Sequence, residues 1–242
     1  MSDISTAVRA ELAPTGKLRV GINYGNFILV TKDPATGESS GAAIDLMRDI
    51  ALRLGVPVEI VAYDSPAVMG DAAPNNVWDI AFLGSDPKRA MFMDFTPAYL
   101  EIDASYLVSG AAPFQSAAEV DRDGVRIAAQ ARANYELFLS RNLKHAQLIS
   151  THKRGEDFDL LATGQVDALA GLTQGLLDLA GKLPGSRVLA GRFMGVQQSI
   201  AIPKGRDAGL AYLRRVVEEA KASGLVARAI DKLGVRGVSV AP

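Results

Sequence analysis

Residues 78 to 99 read "WDIAFLGSDPKRAMFMDFTPAY". The opening "WDIAFLG" is a short apolar run that stops at glycine, the pattern of a buried strand. Asp86 and Pro87 then suit the start of a helical turn, because the carboxylate accepts N–H groups left over at such a terminus and proline needs no donor there. Lys88 and Arg89 follow where the field of the exposed N–H groups is already positive, which costs about 0.3–1 kcal/mol each if they are exposed. Something must offset that cost.

Outward from this stretch the same kind of apolar run recurs. "KLRVGIN" (17 to 23), "PVEIVAY" (57 to 63), "SYLVSG" (105 to 110), "GVRIAAQ" (124 to 130), "VDALAG" (166 to 171) and "VQQSIAIP" (196 to 203) read as strands, with helix-patterned stretches between them. "IDLMRDIALRLG" places Met47, Ile50, Ala51 and Leu54 on one helical face and stops at Gly55. Between 207 and 222 Leu210, Leu213, Val217 and Ala220 make an apolar stripe, and Leu225, Ala229, Ile230 and Leu233 make another before Gly234. "KDPATGESSG" (32 to 41) and "LPGSR" (183 to 187) read as turns. The alternation predicts an α/β protein with mostly parallel sheets, which bind ligands at the carboxyl ends of their strands.

The chain has 242 residues and is 48% hydrophobic, enough for one large domain or two small lobes. With 26 basic and 27 acidic residues it has no field that points to nucleic acid. Without cysteine there is no disulfide, thiol catalysis or thiolate metal site, and two histidines with scattered carboxylates imply no metal. No run approaches the roughly 20 apolar residues of a membrane span, and the opening residues lack the character of a secretory leader.

The order of these pieces resembles family 3 of the bacterial extracellular solute-binding proteins, from about residue 16 to 235. "GKLRVGIN" is similar to that family's opening strand, "GAAIDLMRDIALRLG" to its "GFDxDLxxxxAxxLG" helix, and residues 78 to 99 to its segment with a central Arg before "FTxPY". "LLATGQVDAL" and the C-terminal "LRRVVEEAKASGLVARAIDKLG" complete the order. The resemblance implies a two-lobed type II periplasmic-binding-protein fold with two crossovers and a ligand cleft between the lobes. Lobe 1 would be residues 1–101 and 193–242, and lobe 2 residues 102–192. It also implies a monomeric receptor that feeds an ABC permease outside the cytoplasm; with no leader in the sequence, a cytoplasmic place stays open.

By the same resemblance Arg89 holds a ligand carboxylate as a bidentate clamp, a task for which a planar guanidinium is well shaped. The alternative is that Arg89 pairs with Asp86 or Asp94. Lys88 reads as solvated. The family hydroxyl before the turn is Gly84 here, and the acid that takes a ligand's α-ammonium is replaced by Leu172, while Asp167 matches an earlier, structural acid. A buried ammonium without a carboxylate costs several kcal/mol, which speaks against ordinary α-amino acids. Non-standard amino acids, keto or hydroxy acids and small dicarboxylates remain.

Arg132, in "QARANY" at a helix start, either faces the ligand or is a surface residue capped by Glu136. Asn23 ends the first strand and can donate and accept; Tyr24, Phe27 and Phe82 would wall a pocket, and Gln197 joins either a hinge network or the ligand. Glu101 is a hinge residue or a site carboxylate, and Trp78 is packing or a stacking platform. No cofactor is implied. The competing readings are a dehydratase acting on cyclic carboxylic acids, on the lines of cyclohexadienyl or arogenate dehydratase, and a cytoplasmic ligand-sensing module. For the first, Asp86 and Glu101 are the only candidate acids, since His145 at the end of the helix "YELFLSRNLKHA" and His152 in a polar stretch are not placed for the cleft.

Overall fold

A computed structural model describes residues 4–242. The chain divides into two compact units. Unit 1 takes the chain up to Glu101, then Gln197–Val235 and Ser239–Pro242, and unit 2 holds Ile102–Val196 and Arg236–Val238.

In unit 1 the strand Leu18–Asn23 lies between Val58–Tyr63 and Ile80–Gly84, parallel to both. Met194–Pro203 pairs antiparallel with Ile80–Gly84 on its other side, and the short Met93–Phe95 adds to that strand. Ile80–Gly84 is buried along its whole length, as expected of a central strand covered on both faces. Trp78 is core: it is fully buried with Met69, Leu83 and Met93, and its indole N–H donates to the Met69 carbonyl at 3.1 Å.

The helix Ala42–Leu54 buries Met47, Ile50, Ala51 and Leu54, as the periodicity predicts, and stops at Gly55 in the left-handed conformation with φ 65°. Gly41, before its first turn, has φ 124°, and a Cβ there would lie 2.4 Å from the Leu29 carbonyl oxygen, so only glycine fits. Asp207–Ala222 and Leu225–Leu233 are helices over the predicted ranges. The 32 to 41 stretch is a hairpin between Thr31–Lys32 and Ser39–Ser40.

Unit 2 repeats the plan. Arg126–Gln130 lies between Gln147–Thr151 and Ala168–Leu172, parallel to both, and Leu100–Ser109 pairs antiparallel with Ala168–Leu172. Its core gathers Tyr106, Val108, Phe114, Ile127, Leu139 and Leu189. The helix Asn134–Asn142 ends sooner than the sequence suggests, so His145 stands in the turn that follows it. The segment Arg236–Val238 belongs here because the Gly237 carbonyl accepts the Asp103 N–H at 2.7 Å.

One bracket recurs in both units. Asp79, just before the strand Ile80–Gly84, accepts the Arg19 backbone N–H at 3.0 Å and its guanidinium at 3.0 and 2.7 Å. Asp167, just before Ala168–Leu172, does the same to Arg126 at 2.8, 3.0 and 3.0 Å. Each Asp also donates its own N–H to the carbonyl of that arginine. The two brackets differ in burial: the Asp79 side chain is fully buried and takes a second guanidinium from Arg206, whereas that of Asp167 is 36% exposed.

Asp79→Ala strands two arginines beside a buried gap and is expected to cost about 3–5 kcal/mol of stability, against a clearly smaller loss for Asp167→Ala, whose partner is reached by water. Denaturant unfolding of the two variants checks the order. The hydrogen bonds from Arg126 hold the Asp167 carboxyl below its ordinary range. Its contribution is therefore complete above the unfolded pKa of about 3.9 and is lost as pH falls through the lower folded value. Asp167→Asn is expected to flatten the loss of stability below about pH 4, read from melting temperatures along an acid series.

Candidate functional site

After the strand Ile80–Gly84 the chain turns through Ser85 and Asp86 into a single 3-10 turn, Arg89–Met91. Asp86 Oδ1 accepts the Lys88 N–H at 2.8 Å, and the Asp86 carbonyl accepts the Ala90 N–H at 2.9 Å. The predicted helical start is thus one turn long, and with so few aligned peptides the adverse dipole is small. The two cations part company here. Lys88 is exposed, whereas Arg89 is only 8% exposed and donates from Nη1 to the Gly84 carbonyl at 2.8 Å. Asp94 is paired with Lys204 at 2.8 Å.

Neighbouring strands bring three more polar groups to the same level of unit 1. Gly84 stands opposite the buried Gln198. Ser85 donates its N–H to the Gln197 carbonyl at 2.9 Å, and Gln197 Nε2 donates to the Glu101 carboxylate. Gly84, Ser85, Arg89, Gln197 and Glu101 therefore form one connected row. The Thr96 hydroxyl, in "FTPAY", accepts the Ile200 N–H at 3.0 Å, and the Gln198 carbonyl accepts the Tyr99 N–H at 2.8 Å. That motif fastens the return strand rather than supplying site chemistry.

The remaining expected residues of unit 1 have other tasks. Asn23 Oδ1 accepts the Gly25 N–H at 2.9 Å and so closes its own turn. The Tyr24 hydroxyl meets Ser39 Oγ at 2.8 Å, and its ring lies 5.9 Å from the Lys32 ammonium. Phe27 is 39% exposed and leaves a ring at the surface. Phe82 is buried, its ring 5.8 Å from that of Tyr99 and nearly perpendicular to it, so it belongs to the core.

In unit 2, Arg132 is exposed and has φ 64°. Its backbone N–H donates to Glu136 Oε2 at 2.9 Å, while Ser150 Oγ donates to Oε1 at 2.8 Å. Glu136 is buried in the first turn of Asn134–Asn142, so the protein's own carboxylate occupies the start of that helix. Leu172 closes the strand Ala168–Leu172, partly buried and apolar, and Asp167 is committed to Arg126. His152 is exposed, and so is His145, whose Nδ1 lies 3.3 Å from Asp123. Among the described residues no group of three or more His, Asp or Glu could hold a metal ion, and no helix is long and apolar enough to cross a membrane.

The family model of the bacterial extracellular solute-binding proteins, family 3, matches residues 18–234. The chain belongs to that family. Its fold is the type II periplasmic-binding-protein fold, shared with many solved structures. An amino acid ABC transporter substrate-binding protein from Streptococcus pneumoniae, bound to L-arginine, is 25% identical, with 96% of this chain and 100% of that chain covered and a TM-score of 0.74. A mutant of the T. maritima protein ArgBP is 22% identical over 94% of this chain and 98% of that one, with a TM-score of 0.73. An ancestral amino acid-binding protein, described as a precursor of cyclohexadienyl dehydratase, is 23% identical over 94% and 99%, with a TM-score of 0.74. No curated protein matches the sequence. Family membership implies a small-molecule ligand, an ABC permease as partner and a place outside the cytoplasm.

Two links of this geometry could not be seen as pairs in the sequence. Glu101 and Gln197 are 96 residues apart, and each is informative only once the strands that carry them lie side by side. Glu136 was visible as a cap for Arg132, but the contribution of Ser150 was not. Glu136→Ala is expected to cost about 1–2 kcal/mol through the lost cap and the unpaired Ser150 hydroxyl, and Glu136→Gln less, because an amide oxygen still accepts. Chemical denaturation of both variants measures the difference.

Proposed function

We propose that the protein is the solute-binding component of an ABC importer, that it takes a small carboxylate-bearing solute on Arg89, and that it performs no catalysis. The observation that carries this reading is the contrast within one turn: of two adjacent cations only Arg89 is buried, with one end of its guanidinium fixed on the Gly84 carbonyl. Burying a guanidinium is costly unless hydrogen bonds and negative charge compensate it. The planar group offers five donors in a fixed fork, the shape that matches a carboxylate.

Leu172 supports a solute other than an ordinary α-amino acid, since the strand end where the family places its ammonium-binding acid is apolar here. Non-standard amino acids, keto and hydroxy acids and small dicarboxylates fit that reading. Gly84 and Gln197 support the unit 1 side next to Arg89. The non-catalytic reading is supported by the acids and bases themselves: Asp86 caps a turn, both histidines are exposed, and Glu101 is held by Gln197.

A thermal-shift screen over these classes, with L-arginine and L-lysine included because similar structures hold arginine or lysine, finds the ligands by mass action on the native state. Against the best of them, Arg89→Ala is expected to weaken binding at least ~30-fold in calorimetric titration, with Arg89→Lys between it and the parent. An unchanged affinity in Arg89→Ala overturns the anchor. Product formation from a cyclic carboxylic acid overturns the non-catalytic reading.

A further inference from the structure

We propose that the segment Arg236–Pro242 is a strap on the strand by which the chain leaves unit 1 for unit 2, and that it limits how freely the units move about that crossing.

The chain changes unit between Glu101 and Ile102 and between Val196 and Gln197, and then twice more, entering unit 2 at Arg236 and returning to unit 1 at Ser239. The two crossovers that the sequence implies are thus joined by a short further excursion. It is fastened in each unit separately. In unit 2 the Gly237 carbonyl accepts the Asp103 N–H at 2.7 Å, and Gln174 Oε1 accepts the Arg236 N–H at 3.0 Å. Asp103 is itself paired with Arg192 at 2.7 Å. In unit 1 the Tyr99 carbonyl accepts the N–H of the buried Ala241 at 3.3 Å, and the Pro242 carbonyl oxygen accepts Lys221 Nζ at 2.8 Å.

The bonds at Tyr99 and Asp103 fit one antiparallel register, so the strand Val238–Val240 runs beside Leu100–Ile102. That is where Leu100–Ser109 changes unit. On its other side the same strand lies next to Met194–Pro203, with the Tyr99 N–H on the Gln198 carbonyl and the Phe193 N–H on the Ala104 carbonyl. The crossing is therefore a ribbon of three strands rather than two. A two-stranded ribbon twists readily, whereas a third strand must stretch or break its hydrogen bonds when the first one bends.

Gly237 is what lets the strap lie so close. Its φ is 71°, and a Cβ there would stand 3.0 Å from Thr173 Cβ and 3.2 Å from Asp103 Cβ. A hinge works by changing the backbone angles of a few residues. With the strap bonded to Tyr99 and Asp103, those angles are held, and bending the crossing costs its bonds. The protein without solute then samples fewer arrangements, whichever solute it takes.

The chain contains no cysteine, so Leu52→Cys with Asp123→Cys puts one spin label on an exposed position of each unit. Two further substitutions in this labelled full chain release the strap, one at each end. Gly237→Val crowds the unit 2 fastening, and Ala241→Pro removes the donor of the unit 1 fastening. Without added solute, each is expected to broaden the distribution of label-to-label distances read by pulsed electron resonance. In Gly237→Val the Asp103 amide is also expected to exchange its hydrogen ~10-fold faster or more. A lower melting temperature with an unchanged distance distribution marks a staple that serves stability alone and overturns the proposal. An Asp103 amide that exchanges no faster in Gly237→Val overturns it as well. If one variant does not fold, the distance distribution of the other decides.

Discussion

The aspartate set just before a buried strand is the constraint on which the rest of each unit depends. Its carboxylate bonds the backbone N–H and the guanidinium of an arginine on the neighbouring parallel strand, while its own N–H meets that arginine's carbonyl. Both chains of such a pair are thereby fixed in register at their amino ends. A parallel pair has evenly spaced, slanted bonds and no hairpin to set it, so a one-residue slip would turn every buried side chain outward. With the entry fixed, the exits are fixed too, and Gly84, the start of the Arg89 turn, emerges opposite Gln198. The carboxyl ends of Ile80–Gly84 and Ala168–Leu172 are in this sense consequences of Asp79 and Asp167.

Much of this plan was legible in the sequence. The helices Asp207–Ala222 and Leu225–Leu233 were bounded correctly because their apolar stripes are long and their stops are small residues. The strands of the two cores announced themselves as apolar runs. Gln147–Thr151 did not: "QLIST" is an edge strand with exposed positions, so it carries no run to find. By its apolar pattern the strand Leu100–Ser109 was visible only from Ser105 onward, since Glu101 and Asp103 interrupt its first half with charges. Those interruptions mark where the chain leaves unit 1 for unit 2.

The candidate site was legible in kind more than in arrangement. Sequence already set Lys88, read as solvated, apart from Arg89, and the two do differ in burial: Lys88 is exposed and Arg89 buried. Phe82 was expected to wall a pocket, yet it sits in the middle of a strand buried on both faces, its ring against Tyr99. Asn23 looked available because its residue type is versatile, and the same versatility lets it close the turn after its strand. Short polar side chains in loops tend to serve the backbone first.

The balance of charge in the two units extends this argument. In unit 1 a buried guanidinium stands at the end of a strand, and in unit 2 a buried carboxylate, Glu136, stands at the start of a helix. A helix start that already holds a carboxylate gains little from a second anion, because the orphan N–H groups and the dipole act once. The unit 2 helix start is therefore poor ground for a solute carboxylate, which favours the proposed role of Arg89 over one for Arg132. The same comparison separates Arg132 from Arg89: an exposed guanidinium is hydrated and screened, so its attraction for an anion is weaker than that of a buried one fixed on a carbonyl.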